Sequence, residues 1–189
     1  MELETERLTL RPWKESDAED LFQYASSPDV GPAAGWNAHA SVEESRDVVK
    51  NYFSGPETYA VVLKETGRPI GSVGLMIGKD SHLNLPDTEA EIGYWIGVPF
   101  WGRGLIPEAV KELTRRGFED LNLQRIWAGY FDGNVRSKRV LEKCGFRYRY
   151  TKNNVSCFIE GDLRTEHIVC VSKDERLVAR QARELANHV

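Results

Sequence analysis

The sequence is poor in cysteine: Cys144, Cys157 and Cys170 are its only three, and no CxxC pair occurs. Neither a zinc-ligand pattern nor a disulfide framework is indicated, so the thiols are expected to be ordinary buried or surface groups and no metal is expected. Long apolar runs are also missing. None approaches the ~18 residues that a bilayer span needs. The opening Met1-Glu2-Leu3-Glu4-Thr5-Glu6-Arg7 has no apolar signal region, which leads to the expectation of a cytoplasmic protein that engages no membrane. Positive charge is not in excess: 25 Lys and Arg stand against 29 Asp and Glu, a net charge of −4. That balance speaks against a general nucleic-acid binder. There is no internal repeat and no low-complexity stretch.

What is present is an ordinary mixed composition over 189 residues, 41% hydrophobic and 29% charged. A chain of this length buries roughly 70% of its unfolded surface and needs no covalent staple. One domain is expected over 1–172. The charged remainder, 173–189, reads as an extension that is helical or partly disordered.

Alternation over Leu3–Trp13 predicts a first strand ended by Pro12. Asp17 is placed to cap a helix bearing Ala18, Leu21, Phe22 and Ala25 on one face. The stretch 26–35 is rich in breakers, and Ser41-Val42-Glu43-Glu44 reads as a capping box opening a second helix. Tyr59–Leu63 and Ile70–Ile77 read as an antiparallel hairpin, and 79–86 as a polar, mobile connection. Glu89–Val98 is a third apolar strand. A helix follows from about Ile106, with Ile106, Val110, Leu113 and Phe118 inward. Then come a strand at Arg125–Tyr130, a short helix at Asn134–Lys143, and strands at Phe146–Thr151 and Leu163–Val171. This order is neither regular βαβ alternation nor all-β; it predicts a mixed sheet flanked by helices.

The segment Glu91-Ile92-Gly93-Tyr94-Trp95-Ile96-Gly97-Val98-Pro99-Phe100-Trp101-Gly102-Arg103-Gly104-Leu105-Ile106 runs from strand through a Gly-Arg-Gly loop into a helix. Such a loop turns backbone N–H groups inward, and the helix start at Leu105 and Ile106 adds unpaired donors and a positive dipole end. Together they suit a pyrophosphate. The same pattern also occurs as a plain turn. The triphosphate-binding loop is excluded because Gly-Lys-Ser/Thr is absent, and the dinucleotide fingerprint because Pro107 stands where its third glycine belongs.

Downstream, Asn134-Val135-Arg136-Ser137 opens a helix ending in Lys143-Cys144-Gly145-Phe146. The two segments together resemble the GNAT acetyltransferases, whose cofactor loop Gln/Arg-x-x-Gly-x-Gly/Ala matches Pro99–Gly104. Ile92–Ile96, Trp101–Gly104, Glu108-Ala109 and the opening Thr5–Arg11 are similar to the RimJ/RimL-type ribosomal-protein acetyltransferases. The resemblance spans about residues 3–172. It implies an α+β fold with a central mixed, mostly antiparallel twisted sheet of about seven strands flanked by helices. It also implies acetyl-CoA as cosubstrate. Ile96 and Val98 would pair with the pantetheine arm through their backbone, and Trp101, Gly102, Arg103, Gly104, Leu105, Ile106, Asn134 and Ser137 would contact the cofactor. Two departures stand out. Pro99 replaces the usual Gln or Arg at the head of the loop, and Leu141 occupies the place where many members carry an acidic tyrosine.

Acetylation of an amine needs a base, because an α-amine (pKa ~8) or a lysine (~10.4) is largely protonated at neutral pH. Glu91 is the candidate, on the strand before the presumed acetyl site; Glu89 lies two residues earlier on the same face, where a carboxylate pair would raise one pKa. Solvated rim carboxylates are the alternative. Ser137 is the candidate acid for the leaving thiolate, or a cap, or a simple cofactor contact. Tyr148 and Tyr150 are weaker candidates. Trp36 and His39 either border the acceptor pocket or dock their loop on the core. The acceptor is expected to be a peptide N-terminus or a small molecule such as an antibiotic amine, and the protein a monomer or homodimer. A non-catalytic acyl-CoA sensor is the alternative from another class.

Overall fold

The computed structural model describes residues 1–176 and 178. Strands β1 (Leu3–Glu4) and β2 (Leu8–Pro12) are followed by helices α1 (Ala18–Ala25), α2 (Gly31–Ala34) and α3 (Val42–Asn51). Next come β3 (Thr58–Leu63), β4 (Arg68–Ile77) and β5 (Glu89–Ile96), then α4 (Leu105–Glu119), β6 (Arg125–Phe131), α5 (Val135–Lys143), β7 (Arg147–Ser156) and β8 (Leu163–Ser172). They form one eight-stranded sheet in the order β1-β2-β3-β4-β5-β6-β8-β7. Every pairing is antiparallel except β5 with β6. The expected α+β fold with a mixed, mostly antiparallel sheet is the fold observed.

Several boundaries differ from the sequence reading: β5 ends at Ile96 rather than Val98, and β7 runs to Ser156 rather than Thr151. The single strand expected at 3–13 is a tight hairpin, because Thr5 N donates to Leu8 O and folds the chain back. The breaker-rich stretch holds the short helix α2, closed by Gly35 in the left-handed region at φ 88°. Asp17 does not cap α1. Its carboxylate accepts from Arg11 and from Lys14 N instead. Ser41 does cap α3, accepting from Glu44 N at 3.0 Å. The expected extension at 173–189 lies outside the described residues except for 173–176, which are helical, and Val178.

Strand alternation sorts the sheet into two faces. Ala90 and Ile92 of β5 pack with Leu105, Ile106, Ala109, Val110 and Leu113 of α4 in the larger core. The opposite face carries Trp13, Leu21, Ala25, Val49, Ala60 and Val62, with Trp36 and Trp95 against them. Hence Glu89, Glu91, Gly93 and Trp95 look toward α1 and α3, and Ala90, Ile92, Tyr94 and Ile96 look toward α4.

The feature that positions the site is a divergence within the sheet. β5 and β6 pair only through Glu89↔Arg125, Ala90↔Ile126 and Glu91↔Trp127. Beyond that point β5 stays with β4 as far as Ile96, and β6 stays with β8 as far as Phe131. The strands part, and a gap opens in mid-sheet.

Candidate active site

Backbone polarity along β5 shows what the gap exposes. Gly97 N donates to Ile70 O of β4. Main-chain groups alternate sides along a strand, so Tyr94 and Ile96 turn theirs into the gap. The Ile96 carbonyl is taken by Trp101 Nε1 at 3.0 Å. Val98 is no longer in the strand; it opens a 3-10 turn, Val98–Phe100. The extended edge that the gap offers is thus Tyr94 and Ile96, rather than Ile96 and Val98.

At the end of β5 lies the Gly-Arg-Gly loop. Gly102 and Gly104 are left-handed, at φ 74° and 75°, a conformation that favours glycine. Among the described residues, no hydrogen-bond acceptor takes the backbone N–H of Gly102, Arg103, Gly104, Leu105 or Ile106. Five consecutive unpaired donors open at the N-terminus of a 15-residue helix. Donors clustered in this way suit an anion. Glu108, an anion in the first turn of α4, is kept from opposing it: its carboxylate accepts from Thr5 Oγ1, Arg7 N and Arg7 Nε. Arg7 also holds the loop through Arg103 O. The Arg103 guanidinium lies over Phe100, 5.7 Å from the ring centroid. Arg136, which the sequence reading passed over inside its own Asn-Val-Arg-Ser motif, stacks on Trp101 at 3.8 Å and adds a cation beside these donors.

On the same side, α5 reaches the gap. Asn134 caps it, accepting from Ser137 N at 3.1 Å, while its Nδ2 donates to Ala33 O. Both ends of this amide are therefore committed to protein groups, as cap and as tie to α2. The Ser137 hydroxyl lies 2.9 Å from Tyr94 Oη, which also reaches Ser137 O at 3.2 Å. Burial pushes the Tyr94 phenol well above its usual pKa, so it is protonated and able to donate. Leu141, where many members carry a tyrosine, is buried in the core; the phenol beside Ser137 comes from Tyr94 of β5. Tyr148 and Tyr150 are exposed on β7.

The opposite face of the gap is acidic and aromatic. Glu91 and Glu89 share that face as expected, but they do not act as a carboxylate pair. Glu89 is bound by Arg125 Nη1 at 2.9 Å and Trp127 Nε1 at 2.6 Å. Glu91 Oε2 accepts from Ser81 Oγ at 2.6 Å and pairs with His82 Nδ1 at 2.9 Å. The parallel partner β6 supplies the donors that separate the two. His82 reaches on to Glu166 Oε2 of β8 at 3.1 Å. Hydrogen bonds to Glu166 and then to Glu91 raise its pKa to about 10, so it is an imidazolium at neutral pH. The stretch 79–86, expected to be mobile, is thereby strapped across the sheet.

Trp36 docks its loop on the core. It packs on Gly31, where a Cβ would lie 2.6 Å from its ring, and it meets Trp95 edge-on at 6.0 Å. His39 lies 5.3 Å from Trp36 and bonds Ser45 Oγ. Burial lowers the His39 pKa, which keeps it neutral. α2 is fastened over the far end of the gap by Asn134, by Arg164 on Pro32 O and by Phe158 N on Gly35 O.

Other chemistries find less support. Burial raises the Cys144 and Cys170 thiols to about 11, so neither is a ready thiolate. Among the described residues no three His, Cys, Asp or Glu side chains gather around a metal position. His167 and Cys170, three apart on β8, project to opposite faces. No described helix is long and apolar enough to cross a membrane. A cavity of about 720 Å³ lined by Glu89, Arg125, Trp127, Arg149, Cys170 and Glu175 opens at the closed end of the β5–β6 pairing. Its Glu89 and Glu175 already pair with Arg125 and Arg149, and it lies away from the Gly-Arg-Gly loop.

Comparison with known proteins agrees with this geometry. Residues 7–147 match the model of the acetyltransferase (GNAT) domain. An uncharacterized N-acetyltransferase, p20, of Bacillus licheniformis is 35% identical over 153 residues, covering 77% of this chain and 82% of that protein. Among solved structures, a GNAT-family acetyltransferase from Bacillus anthracis superposes with a TM-score of 0.81 at 23% identity, over 93% of this chain and all of that one. The structure of Mycobacterium smegmatis RimJ in complex with CoA-disulfide superposes with a TM-score of 0.71 at 22% identity, over 92% and 89% of the two chains. With a mid-sheet gap, a loop of unpaired main-chain donors and a family match over most of its length, the chain belongs to the GNAT acetyltransferase family and is an N-acetyltransferase.

Proposed function

We propose that the protein moves the acetyl group of acetyl-CoA onto a primary amine by direct attack, and that its acceptor is the N-terminal α-amine of a peptide or protein, as in the RimJ/RimL-type enzymes. The observation that carries the reading is the set of five unpaired N–H groups at Gly102–Ile106 beside the open edge of β5, with Glu91 on the other face of the same strand. The two substrates then approach the gap from opposite sides. Acetyl-CoA fits the α4 side: the cradle and Arg136 suit its pyrophosphate, and the Tyr94–Ile96 edge suits an extended amide-bearing arm. Bound there, it supplies the activated thioester.

The chain's own residues divide the remaining work. Glu91 Oε1 has no partner among the described residues and receives the proton that the amine gives up as the C–N bond forms. A gap-facing N–H of β5 polarises the thioester carbonyl. As the C–S bond breaks, Ser137 Oγ delivers a proton to the sulfur and regains one from water, while the Tyr94 phenol positions that hydroxyl. Trp36 and Trp95 wall the acceptor side. No enzyme nucleophile is needed, which accords with the raised thiol pKa values.

The test is CoA release from acetyl-CoA against short peptides with different N-terminal residues, beside polyamines, amino acids and aminoglycosides. The product is mapped by mass spectrometry. Label on a peptide α-amine is the expected result. Turnover on small amines alone moves the protein to a metabolic or detoxifying role, and tight acetyl-CoA binding without turnover makes it a sensor.

A further inference from the structure

We infer that the acceptor side selects an amine whose neighbouring group is uncharged, as in a peptide or amide, and rejects free amino acids, and that His82 and Glu166 set this selectivity. The inference rests on the reading of the Glu91 face as the acceptor side.

Three groups from three elements meet there. Glu91 of β5 and Glu166 of β8 are buried, at 6% and 5% exposure, and His82 from the connection before β5 lies between them. Each ring nitrogen faces a carboxylate oxygen, so both carry protons and the ring is a cation. The other ionisable neighbours do not change the sum. Glu89 is balanced by Arg125, Tyr150 keeps its proton because burial and then the charges of Glu166 and Glu91 raise its pKa, and Trp127 is neutral. Arg164 is spent on Asp162 and Pro32 O. Two carboxylates share one imidazolium, and the cluster keeps one net negative charge. It is a half-filled cation site. The second oxygens, Glu91 Oε1 and Glu166 Oε1, have no partner among the described residues. The latter lies over Gly129, where a Cβ would run into it.

An ammonium arriving at Glu91 completes the balance. An α-carboxylate one carbon away from that amine falls within a few ångströms of the same two carboxylates, where like charges repel strongly. A peptide carbonyl or an amide in that position carries no charge and meets no such penalty. His82 is a positioning residue here, since its side chain holds Glu91 and Glu166 at fixed separation and half-neutralises them. Its own exposure, 44% for the side chain, puts it at the mouth of the groove.

The experiment compares kcat/KM for L-alaninamide, an alanyl peptide and free L-alanine with the full chain and acetyl-CoA, corrected for the fraction of free amine. The amide and peptide are expected to exceed alanine by at least about a hundredfold. Glu166→Gln removes one negative charge with little change of shape and is expected to shrink that ratio by roughly tenfold. His82→Gln removes the cation and is expected to preserve or widen it. A purely structural role would move both variants the same way. Gly129→Ala, which displaces the Glu166 carboxylate without touching its charge, serves as a second variant and is expected to change the ratio in the direction of Glu166→Gln. Alanine turned over as well as alaninamide overturns the inference while leaving the acetyltransfer reading intact, and so does a ratio unmoved in a folded Glu166→Gln. Absence of turnover on all three amines despite acetyl-CoA binding overturns the acetyltransfer reading itself, and the inference with it.

Discussion

The proposed cofactor cradle is made of main chain from five consecutive residues, Gly102–Ile106, whereas the proposed acceptor wall joins His82 to Glu166 across 84 positions of sequence. The two sides of one gap are thus built on different principles. A main-chain site is indifferent to most side chains but cannot accept a bulky Cβ substituent at its left-handed glycines. A side-chain site tolerates small shifts of the backbone but depends on single atoms, and its electrostatics follow from which charges the topology brings together. It follows that damage should be separable: substitutions on the α4 side should act on cofactor affinity, and those on the α1/α3 side on the amine.

The largest effect is expected at Gly104. Its φ of 75° is strained for any other residue, and an indole there fills the space that the five donors face. Gly104→Trp is expected to weaken acetyl-CoA binding by at least about a hundredfold, measured by calorimetry on protein whose circular dichroism is unchanged. Arg103→Ala is expected to change it by less than about fivefold, as befits an exposed cation. If the arginine variant loses as much as the glycine variant, the cradle works through its side chain and the contrast between the two sides disappears.

A smaller effect is expected on the other side. Glu91→Gln keeps the shape of the group and the possibility of a bond from Ser81, but it cannot take a proton. The acetylation rate is expected to fall about a hundredfold, most steeply at low pH where the amine is hardest to deprotonate, with the acetyl-CoA affinity unchanged. A rate and pH profile equal to wild type removes Glu91 as the base. A loss of acetyl-CoA binding equal to that of Gly104→Trp shows that the two sides are not independent.

This contrast also decides what was readable in the sequence. The loop of free donors was legible because its signal is local: a strand, two glycines and a helix start within sixteen residues announce donors that belong to the backbone. Ser137 and Asn134 were legible as a motif, although Asn134 spends both ends of its amide on the protein. Tyr94 could be placed on the helix-facing side of β5 by alternation alone. Its bond to Ser137, 43 residues away, could not, because nothing local says that α5 crosses the gap. The shared face of Glu89 and Glu91 followed from period two. Their separation into two networks did not, since it depends on β6 lying parallel to β5 and presenting Arg125 and Trp127. His82 was hidden in a stretch with no periodicity. Its meaning comes only from the strand order β5-β6-β8, which places residues 91 and 166 within reach of one ring. The divergence of β5 from β6 leaves no mark in composition at all.

The smallest expected effect is also the one that reads the acceptor wall without any substrate. The folded pKa of His82, about 10, lies above the ~6.5 of a free histidine. The folded protein therefore holds a proton that the unfolded chain releases between those values, and stability falls as pH rises through that window. The contribution is fully present below pH ~6.5 and gone above the folded pKa. His82 is substantially exposed, so solvent screening reduces it to roughly 1 kcal/mol, or about 2–4 °C in Tm for a chain of this length. The difference in Tm between wild type and His82→Asn should have that size at pH 6 and shrink toward zero by pH 10. A difference that is constant with pH would mean that the ring holds the connection by packing alone. One that grows with pH would mean that the two carboxylates are not what faces it, and the half-filled cation site on this side of the gap would lose its foundation.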